Sequence, residues 1–215
     1  MSYVLEVTDL SITFDTPRGD LRAVNDATIT LEQGESIGVV GESGSGKTVL
    51  SRAIMGLLPG TATRTGSIKY MGKEISELPE KELRDLWGTG MAMIFQDPMT
   101  TLNPVRRIGA QLTESLTVRL KLDKKEAHKQ AIELLRRVRI ADPEGMMRKF
   151  PYQLSGGMRQ RIMIAIAVSC KPELLFADEP TTALDVTVQA QVLELLSELR
   201  KEFNMAMILV THDLG

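Results

Sequence analysis

Eight consecutive residues in the first quarter of the chain combine glycine, lysine and hydroxyl groups at a fixed spacing. They read Gly41-Glu42-Ser43-Gly44-Ser45-Gly46-Lys47-Thr48 and match the pattern G-x-x-x-x-G-K-[ST] in full. Because an apolar run precedes them and a helical pattern follows, backbone N–H groups and a helix N-terminus would point at phosphate oxygens. We expect this loop to hold nucleotide phosphates, with Lys47 at the outer phosphates and the Thr48 hydroxyl on Mg²⁺. The alternative, a plain Gly/Ser turn, fits this context poorly.

Two carboxylates follow the apolar run Leu174–Ala177. Asp178 and Glu179 stand at its carboxyl end, which is where open α/β sheets bind their ligands. We expect Asp178 to bind Mg²⁺ through water, and Glu179 to orient or deprotonate an attacking water. Taken alone, the pair is equally consistent with the solvated end of a strand. The phosphate loop upstream favours the catalytic interpretation.

A second glycine pair precedes another helical pattern, in the segment Leu154-Ser155-Gly156-Gly157-Met158. One interpretation is that Ser155 caps the N-terminus of that helix. The other is a second anion site, made of the Ser155 hydroxyl and the N–H groups of Gly156 and Gly157. A chain with one nucleotide needs a second phosphate site only if that site serves another subunit. This interpretation therefore predicts a dimer with shared nucleotides.

The composition is that of a soluble globular protein. Of 215 residues, 43% are hydrophobic and 25% are charged, and 26 Lys and Arg against 28 Asp and Glu leave a formal net charge of -2. This balance, with only 4% aromatic residues, argues against a nucleic-acid partner. One cysteine, Cys170, excludes an internal disulfide framework, and two histidines, His128 and His212, argue against a His-based metal site. No secretory signal or membrane-spanning run is visible, so we expect a cytosolic or peripheral protein.

Hydrophobic patterning predicts an α/β fold, because nearly continuous apolar runs typical of buried parallel strands alternate with helical patterns. Parallel strands are expected at Ser36–Val40, Leu174–Ala177 and Met205–Val210, and antiparallel strands at Tyr3–Thr8, Ala27–Leu31, Ser67–Tyr70 and Lys73–Ile75. Helices are expected at Lys47–Leu57, Ile108–Leu120, Lys124–Val138, Gly156–Ser169 and Thr187–Phe203. The mostly helical stretch between Gln96 and Pro172 would be an insert in the α/β core.

Further motifs make the chain resemble the ATP-binding cassette (ABC) ATPases. Besides the phosphate loop and the two carboxylates, the matches are Gln96 in Phe95-Gln96-Asp97 for the Q-loop, Leu154–Met158 for the signature, Ala183-Leu184-Asp185 for the D-loop and His212 in Thr211-His212-Asp213 for the switch histidine. The motifs follow the family order, and the resemblance covers essentially the whole chain. It implies a P-loop (RecA-like) α/β core with an antiparallel β lobe at 1–95 and 172–215, and an inserted helical lobe at 96–171.

The resemblance also assigns roles to single residues. Gln96 would touch Mg²⁺ and the attacking water, His212 would contact the γ-phosphate of ATP, and Asp185 would meet a facing subunit. Alternatively, Gln96 would be a polar residue at a strand end, His212 a surface histidine and Asp185 a helix N-cap. Phe14 is the candidate to stack on the adenine. The Thr16–Asp20 loop disturbs the alignment there, and a core aromatic is an equal alternative.

A narrower resemblance is to the ATPases of dipeptide, oligopeptide, glutathione and nickel importers. It rests on the segments Met93–Pro104, Gln153–Gln160 and Glu179–Val186. Thr48 and Tyr152 stand where that branch more often has Ser and His; threonine keeps the Mg²⁺ hydroxyl, and nothing in the sequence explains the tyrosine. Members of the branch usually continue well past the switch histidine, so we expect the end of the core and a C-terminal tail to be missing here.

The resemblance implies partners as well. Two cassettes, identical or paralogous, would face each other head to tail, with each ATP between Gly41–Thr48 of one and Leu154–Met158 of the other. Two transmembrane permease subunits would dock on the helical lobe at the cytoplasmic face of the inner membrane, and an extracytoplasmic substrate-binding protein would be an indirect partner. Arg106 and Arg107 would face the permease or be ordinary loop arginines. The competing classes are a soluble ABC mechanoenzyme and a regulatory nucleotide sensor, and the presence of Glu179 argues against the sensor.

Overall fold

Two four-stranded sheets organise the computed structural model, which describes residues 3–182 and 184–212 apart from the Met99 side chain. The strands are β1 Tyr3–Thr16, β2 Gly19–Glu32, β3 Ser36–Val40, β4 Ala62–Tyr70, β5 Lys73–Glu74, β6 Met91–Ile94, β7 Leu174–Asp178 and β8 Ala206–Thr211. The helices are α1 Lys47–Ile54, α2 Glu80–Leu86, α3 Pro98–Thr101, α4 Ile108–Arg119, α5 Lys124–Arg137, α6 Pro143–Met146, α7 Gly156–Val168 and α8 Val186–Phe203. A 3-10 turn at Pro151–Gln153 precedes α7.

The parallel sheet has the strand order β3-β8-β7-β6 and separates two hydrophobic cores. Successive residues of a strand point to opposite faces. Met93 and Phe176 therefore pack with the antiparallel sheet and α1, whereas Ile94 and Leu175 pack with α4, α5, α7 and α8. Because all four strands run the same way, their carboxyl ends meet at one edge of the sheet.

The antiparallel sheet has the order β2-β1-β4-β5. Its first two strands form a long hairpin that ends with Thr16 opposite Gly19. Phe14 lies near this end, opposite Leu21 of β2 and Ala62 of β4. The sheet packs against α1 and one face of the parallel sheet, so it forms one wall of the edge where the glycine-rich loop lies.

The helices α3 to α7 all lie between β6 and β7 in the chain. Buried leucines of α4 and α5, including Leu112, Leu116 and Leu135, pack with α7 and α8 to form the second core. Among the described helices, none combines the length and the apolarity that a membrane span requires.

The predicted α/β fold with an antiparallel sheet is confirmed, and several boundaries differ. Neither β6 nor α2 was predicted. Met91–Ile94 is a run of four residues with one β-branched residue, Ile94, and its pairing with β7 decides its structure. Helix α1 ends at Ile54, not at Leu57, since Gly56 turns the chain with φ 69°. Strands β1 and β2 extend the predicted segments to 14 residues each. The division into separate lobes at 96 and 171 stays a prediction.

The Glu74 carboxylate closes the β4–β5 hairpin by accepting four hydrogen bonds. The donors are the hydroxyls of Ser67 and Ser76 and the backbone N–H groups of Ile68 and Ser76, the two N–H groups at 3.0 Å. Burial opposes ionisation of this carboxyl, but the hydrogen bonds outweigh burial and lower its pKa to about 2.

We expect the fold to lose stability in acid as the Glu74 carboxylate becomes protonated. Because its pKa is lower in the folded than in the unfolded state, its stabilisation is present above pH 4.5 and is lost as the pH falls from there to about 2. Glu74→Gln should lower the free energy of unfolding at pH 7 by about 1 kcal/mol and flatten its dependence on pH in that window. Urea denaturation along the pH series measures both effects, with the exposed Glu77→Gln as control. An unchanged pH slope in Glu74→Gln would contradict this assignment.

Candidate active site

The glycine-rich loop joins the end of β3 to the start of α1, as its pattern predicts. Gly44 and Gly46 have φ angles of 82° and 89°, in the left-handed region that favours glycine. A Cβ on Gly46 would lie 2.1 Å from the carbonyl oxygen of Ala23 in β2. The first turn of α1 contains no acidic residue, so the positive end of its dipole is not compensated there. Both features suit a loop that wraps an anion.

Lys47 lies beneath this loop and is only 7% exposed. Its Nζ donates to the carbonyl oxygens of Gly41 at 2.7 Å and Glu42 at 2.8 Å. Within the described residues no carboxylate oxygen lies within 4.0 Å of this ammonium group. A buried cation without a paired anion favours binding of an external one. The loop therefore fits the nucleotide phosphates that the sequence predicts.

Thr48 and Asp178 meet at the same edge of the parallel sheet. The Thr48 Oγ1 donates to Asp178 Oδ1 over 3.0 Å, and Asp178 is 2% exposed. Burial raises the pKa of the Asp178 carboxyl above its usual range, opposed by the Thr48 hydrogen bond and reinforced by the nearby charge of Glu179. A hydroxyl and a carboxylate are the hard oxygen ligands that Mg²⁺ takes. The part of the chain that is described holds no cluster of three His, Cys, Asp or Glu side chains, so water and phosphate would complete such a site.

One oxygen of Glu179 is the meeting point of three side chains. Its Oε2 accepts hydrogen bonds from Gln96 Nε2 at 2.9 Å and from Thr182 Oγ1 at 3.1 Å, and His212 Nδ1 lies 3.6 Å away. Gln96, Glu179 and His212 follow β6, β7 and β8, which are neighbours in the sheet. The structure therefore brings together the three residues predicted to be catalytic.

The backbone at Glu179 is held in an unusual conformation. Its φ is 45°, which is uncommon for a residue other than glycine, and its N–H donates to the carbonyl oxygen of Val210 at 3.0 Å. The Thr182 N–H in turn donates to the Glu179 carbonyl oxygen at 3.2 Å, closing a tight turn. Strained backbone of this kind is often found at functional sites. Here it fixes the direction in which the carboxylate leaves the sheet.

Sequence reasoning missed Thr182 and Arg52. Thr182 reaches Glu179 only because of the turn after β7, which no local pattern announces. Arg52 lines a groove beside Asp178, and its charge opposes the rise in the pKa of that carboxyl. It stands four residues after Thr48 on α1, and this helical spacing was a usable signal.

Ser155 and Asp185 both cap helices. The Ser155 Oγ accepts from the Met158 N–H at 3.3 Å, and Asp185 Oδ1 accepts from the Val188 N–H at 3.0 Å. The capping alternatives are therefore realised in both cases. Their contacts with a facing subunit stay predictions.

Phe14 is half-buried against the core of the antiparallel sheet. This agrees with a core aromatic, and stacking of Phe14 on an adenine stays a prediction. Two residues of the quoted motifs, Ala183 and Asp213, lie outside the described part of the chain.

Comparison with known families assigns the chain. A family model described as ABC transporter matches residues 24–182. The chain belongs to the ABC transporter family. The matched part of this ABC chain contains the phosphate loop, Gln96, Leu154–Met158 and Glu179, so the resemblance inferred from the motifs is confirmed.

Similar proteins are named as peptide transport components. This ABC chain is 53% identical over 212 residues to the oligopeptide transport ATP-binding protein OppD of Salmonella typhimurium, with 99% of the chain covered. It is 49% identical over 214 residues to OppD of Bacillus subtilis, and 48% identical over 217 residues to the dipeptide transport ATP-binding protein DppD of Bacillus subtilis, with 99% and 100% of the chain covered. The chain spans 63%, 60% and 65% of the lengths of these relatives.

Solved structures share the fold. The ATP-binding cassette MJ0796, solved as a dimer in a post-hydrolysis state with ADP and Pi, superposes with a TM-score of 0.86 at 26% identity, over 98% of this ABC chain and 88% of that chain. The protein cbiO1 of Clostridium perfringens, described as part of the ABC transporter complex cbiONQ, superposes with a TM-score of 0.79 at 27% identity, over 99% of this chain and 80% of that chain. These matches confirm the fold class of the ABC chain.

Proposed function

We propose that this chain is the ATP-binding and ATP-hydrolysing subunit of a membrane importer for peptides. The observation that carries the proposal is the Glu179 cluster, in which Gln96, Thr182 and His212 surround one carboxylate beside the phosphate loop. The names of the similar proteins, which are oligopeptide and dipeptide transport ATP-binding proteins, favour peptides over nickel or glutathione.

Glu179 is the general base in this proposal. Its Oε2 is occupied by Gln96 and Thr182, and among the described residues no hydrogen bond reaches Oε1, which is left to accept a proton. Water gives that proton to Oε1 as its oxygen bonds to the γ-phosphorus of ATP. The bond between the γ-phosphorus and the bridging oxygen breaks, and ADP and phosphate leave. His212, 57% exposed at the end of β8, would contact the γ-phosphate.

Four side chains would bind the nucleotide and its Mg²⁺. Lys47 would exchange its two carbonyl partners for phosphate oxygens, and Thr48, Asp178 and Gln96 would hold the metal directly or through water. When bound, Mg²⁺ neutralises charge on the phosphates. The hydrogen bond between Thr48 and Asp178 supports this assignment, because it keeps both oxygens at one place before any ligand arrives.

The functional unit in this proposal is a dimer of two cassettes. The dimeric state of the similar cassette with ADP and Pi supports it. Ser155, Gly156 and Gly157 of one subunit would contact the nucleotide on Gly41–Thr48 of the other. ATP closes the dimer because it binds the closed state more tightly than the open one, and loss of the γ-phosphate reopens it.

A groove between α4 and α5 supports docking of a permease segment. It has a volume of about 840 Å³, and small residues of α4, Gly109, Thr113 and Thr117, line it one turn apart. At its rim Arg107 and Arg148 are exposed, and within the described residues neither has a carboxylate within 4.0 Å. A small-residue floor with a basic rim fits a cytoplasmic helix that carries carboxylates. At the cytoplasmic face of the inner membrane, a permease would present such a helix.

Affinity purification of the tagged full-length protein in mild detergent tests this function. We expect two multi-span membrane proteins to be recovered, and the reconstituted complex to accumulate a labelled tripeptide with ATP but not labelled nickel. The double variant Arg107→Glu and Arg148→Glu should recover about tenfold less permease through charge repulsion, whereas Lys69→Glu on the antiparallel sheet should recover the normal amount. Recovery of soluble partners alone would overturn the transport assignment, and uptake of nickel without peptide would overturn the substrate class.

A further inference from the structure

Helix α8 has a polar stripe that faces other helices and not only solvent. Gln191, Glu194, Glu198 and Glu202 follow each other at spacings of three or four residues, so they share one face of the helix. Such a stripe usually faces solvent. Here its side chains contact arginines of the segment between β6 and β7.

Two arginines donate hydrogen bonds to three residues of this stripe. Arg139, just after α5, donates from Nη1 to Glu194 Oε2 at 2.8 Å and from Nη2 to both carboxylate oxygens of Glu198 at 2.7 and 2.8 Å. Arg161 of α7 donates from Nη2 to Gln191 Oε1 at 2.9 Å and from Nη1 to the Val138 carbonyl oxygen at 3.1 Å. Together they tie the end of α5, the middle of α7 and the middle of α8 at one junction.

Arg139 lies where α5 ends, and its N–H donates to the Arg136 carbonyl oxygen at 2.9 Å. Its φ is 61°, in the left-handed region that a non-glycine residue rarely adopts. Single exposed ion pairs contribute little to stability, but an arginine that donates to two carboxylates has a defined direction. The contact therefore fixes the geometry between helices more than it stabilises the fold.

The signature segment Leu154–Met158, at the start of α7, packs against the start of the same helix α8. A Cβ on Gly157 would lie 3.2 Å from Val188 Cγ1, and one on Gly156 would lie 3.8 Å from Leu184 Cδ2. The turn that presents Ser155 therefore packs directly against the first turn of α8. Six residues after Ser155, Arg161 holds α7 to the same helix.

We infer that Arg139 and Arg161 are positioning residues, which set the angle between α7 and α8 and thereby the place where Ser155 meets the nucleotide of the facing subunit. This inference rests on the proposed function, because it requires a nucleotide shared between two cassettes. Contacts with reacting groups tolerate little displacement: an error of about 1 Å can cost up to about 100-fold in rate. Loss of these arginine contacts should therefore slow hydrolysis of the ATP bound to the facing subunit, and not hydrolysis of the ATP bound to the same chain.

Mixed dimers of full-length subunits separate these two effects. In the first arrangement, Arg139→Ala and Lys47→Ala stand in the same chain, so the one working ATP site uses the signature of the altered chain. In the second, Arg139→Ala stands alone and the P-loop lysine of the facing subunit is replaced by alanine, so the working site uses an unaltered signature. Two affinity tags purified in sequence give each dimer.

We expect kcat to fall about tenfold in the first arrangement and to stay within about twofold in the second, with the KM for ATP unchanged in both. The double variant Glu194→Gln and Glu198→Gln should reproduce this asymmetry while leaving the backbone of Arg139 untouched. Hydrogen exchange of residues 154–160 should quicken in both variants. Arg84→Ala, which removes an exposed ion pair within α2, is the matched control and should change none of these quantities.

Equal losses in both arrangements, or no loss in either, would overturn the inference. Ser155→Ala in the same two arrangements tests the shared site by itself. If Ser155→Ala shows no asymmetry, the proposed dimer mechanism fails; if it does and Arg139→Ala does not, only the positioning role fails.

Discussion

Replacing Glu179 by glutamine is expected to stop ATP hydrolysis while ATP binding persists. The amide cannot take the proton of the attacking water, and loss of a general base typically costs about 10²–10⁴-fold in kcat. The side chain keeps its shape and an acceptor oxygen for Gln96 and Thr182, so the site should stay assembled. Because hydrolysis reopens the dimer in the proposed cycle, ATP should trap the variant as a dimer. Phosphate release and gel filtration of the full-length protein with ATP measure the two effects.

Glu173→Gln is the matched control for this experiment. Glu173 immediately precedes β7, at the opposite end of the strand from Glu179, and it accepts a hydrogen bond from Tyr70. The substitution makes the same change of carboxylate to amide in the same segment. Because Glu173 lies at the end of β7 away from the site, we expect the rate of ATP hydrolysis to equal that of the wild type. If Glu179→Gln kept wild-type turnover, the base would have to be another group of the cluster, and His212 would be the next to test.

Replacing Lys47 by alanine should abolish tight ATP binding. The ammonium is buried, and its acceptors among the described residues are the carbonyl oxygens of Gly41 and Glu42. Loss of two charged hydrogen bonds, each worth about 1.5–3 kcal/mol, corresponds to a rise in the Kd for ATP of at least about 100-fold. Titration with a fluorescent ATP analogue measures this change.

Lys69→Ala serves as the control, because Lys69 is an exposed lysine of β4. Its Kd for ATP should equal that of the wild type. Thermal unfolding of Lys47→Ala shows whether the loop needs its lysine for folding, since two carbonyl oxygens lose their donor. An unchanged Kd in a folded Lys47→Ala protein would refute phosphate binding at this loop.

The two cores explain how one small chain can couple a nucleotide to helical contacts. Glu179 and His212 directly follow strands that pack with both cores, while Gln96 opens the segment that leads into α3 to α7. A change at the γ-phosphate would therefore reach Gln96 through the Glu179 carboxylate. In the proposed cycle, this hydrogen bond links the site of hydrolysis to the segment that leads to the permease groove.

Local sequence determined the chemistry of the site. The spacing of Gly41–Thr48 requires glycine where the chain turns left-handed at Gly44 and Gly46, and it places a lysine and a hydroxyl at the first turn of a helix. Apolar runs predicted β7 and β8, which are almost wholly buried because both faces of the sheet are covered there. The run at β3 also predicted a strand, but β3 lies at the edge of the sheet, and its Ser36, Gly38 and Val40 are exposed, not buried on both faces as expected. The helix caps at Ser155 and Asp185 were also readable, since a cap depends only on residues within one turn.

Tertiary structure decided what the sequence left open. Strand β6 exists because β7 pairs with it, and Thr182 belongs to the site because the turn at Glu179 brings it back. The contact of Arg139 with Glu194 and Glu198 joins residues more than 50 positions apart, and no periodicity along the chain relates them. A motif within one turn or one strand depends on residues that are close in sequence, so the sequence alone can predict it. Pairing between strands and ion pairs between helices depend on which surfaces the fold brings into contact, and only the packed structure specifies that.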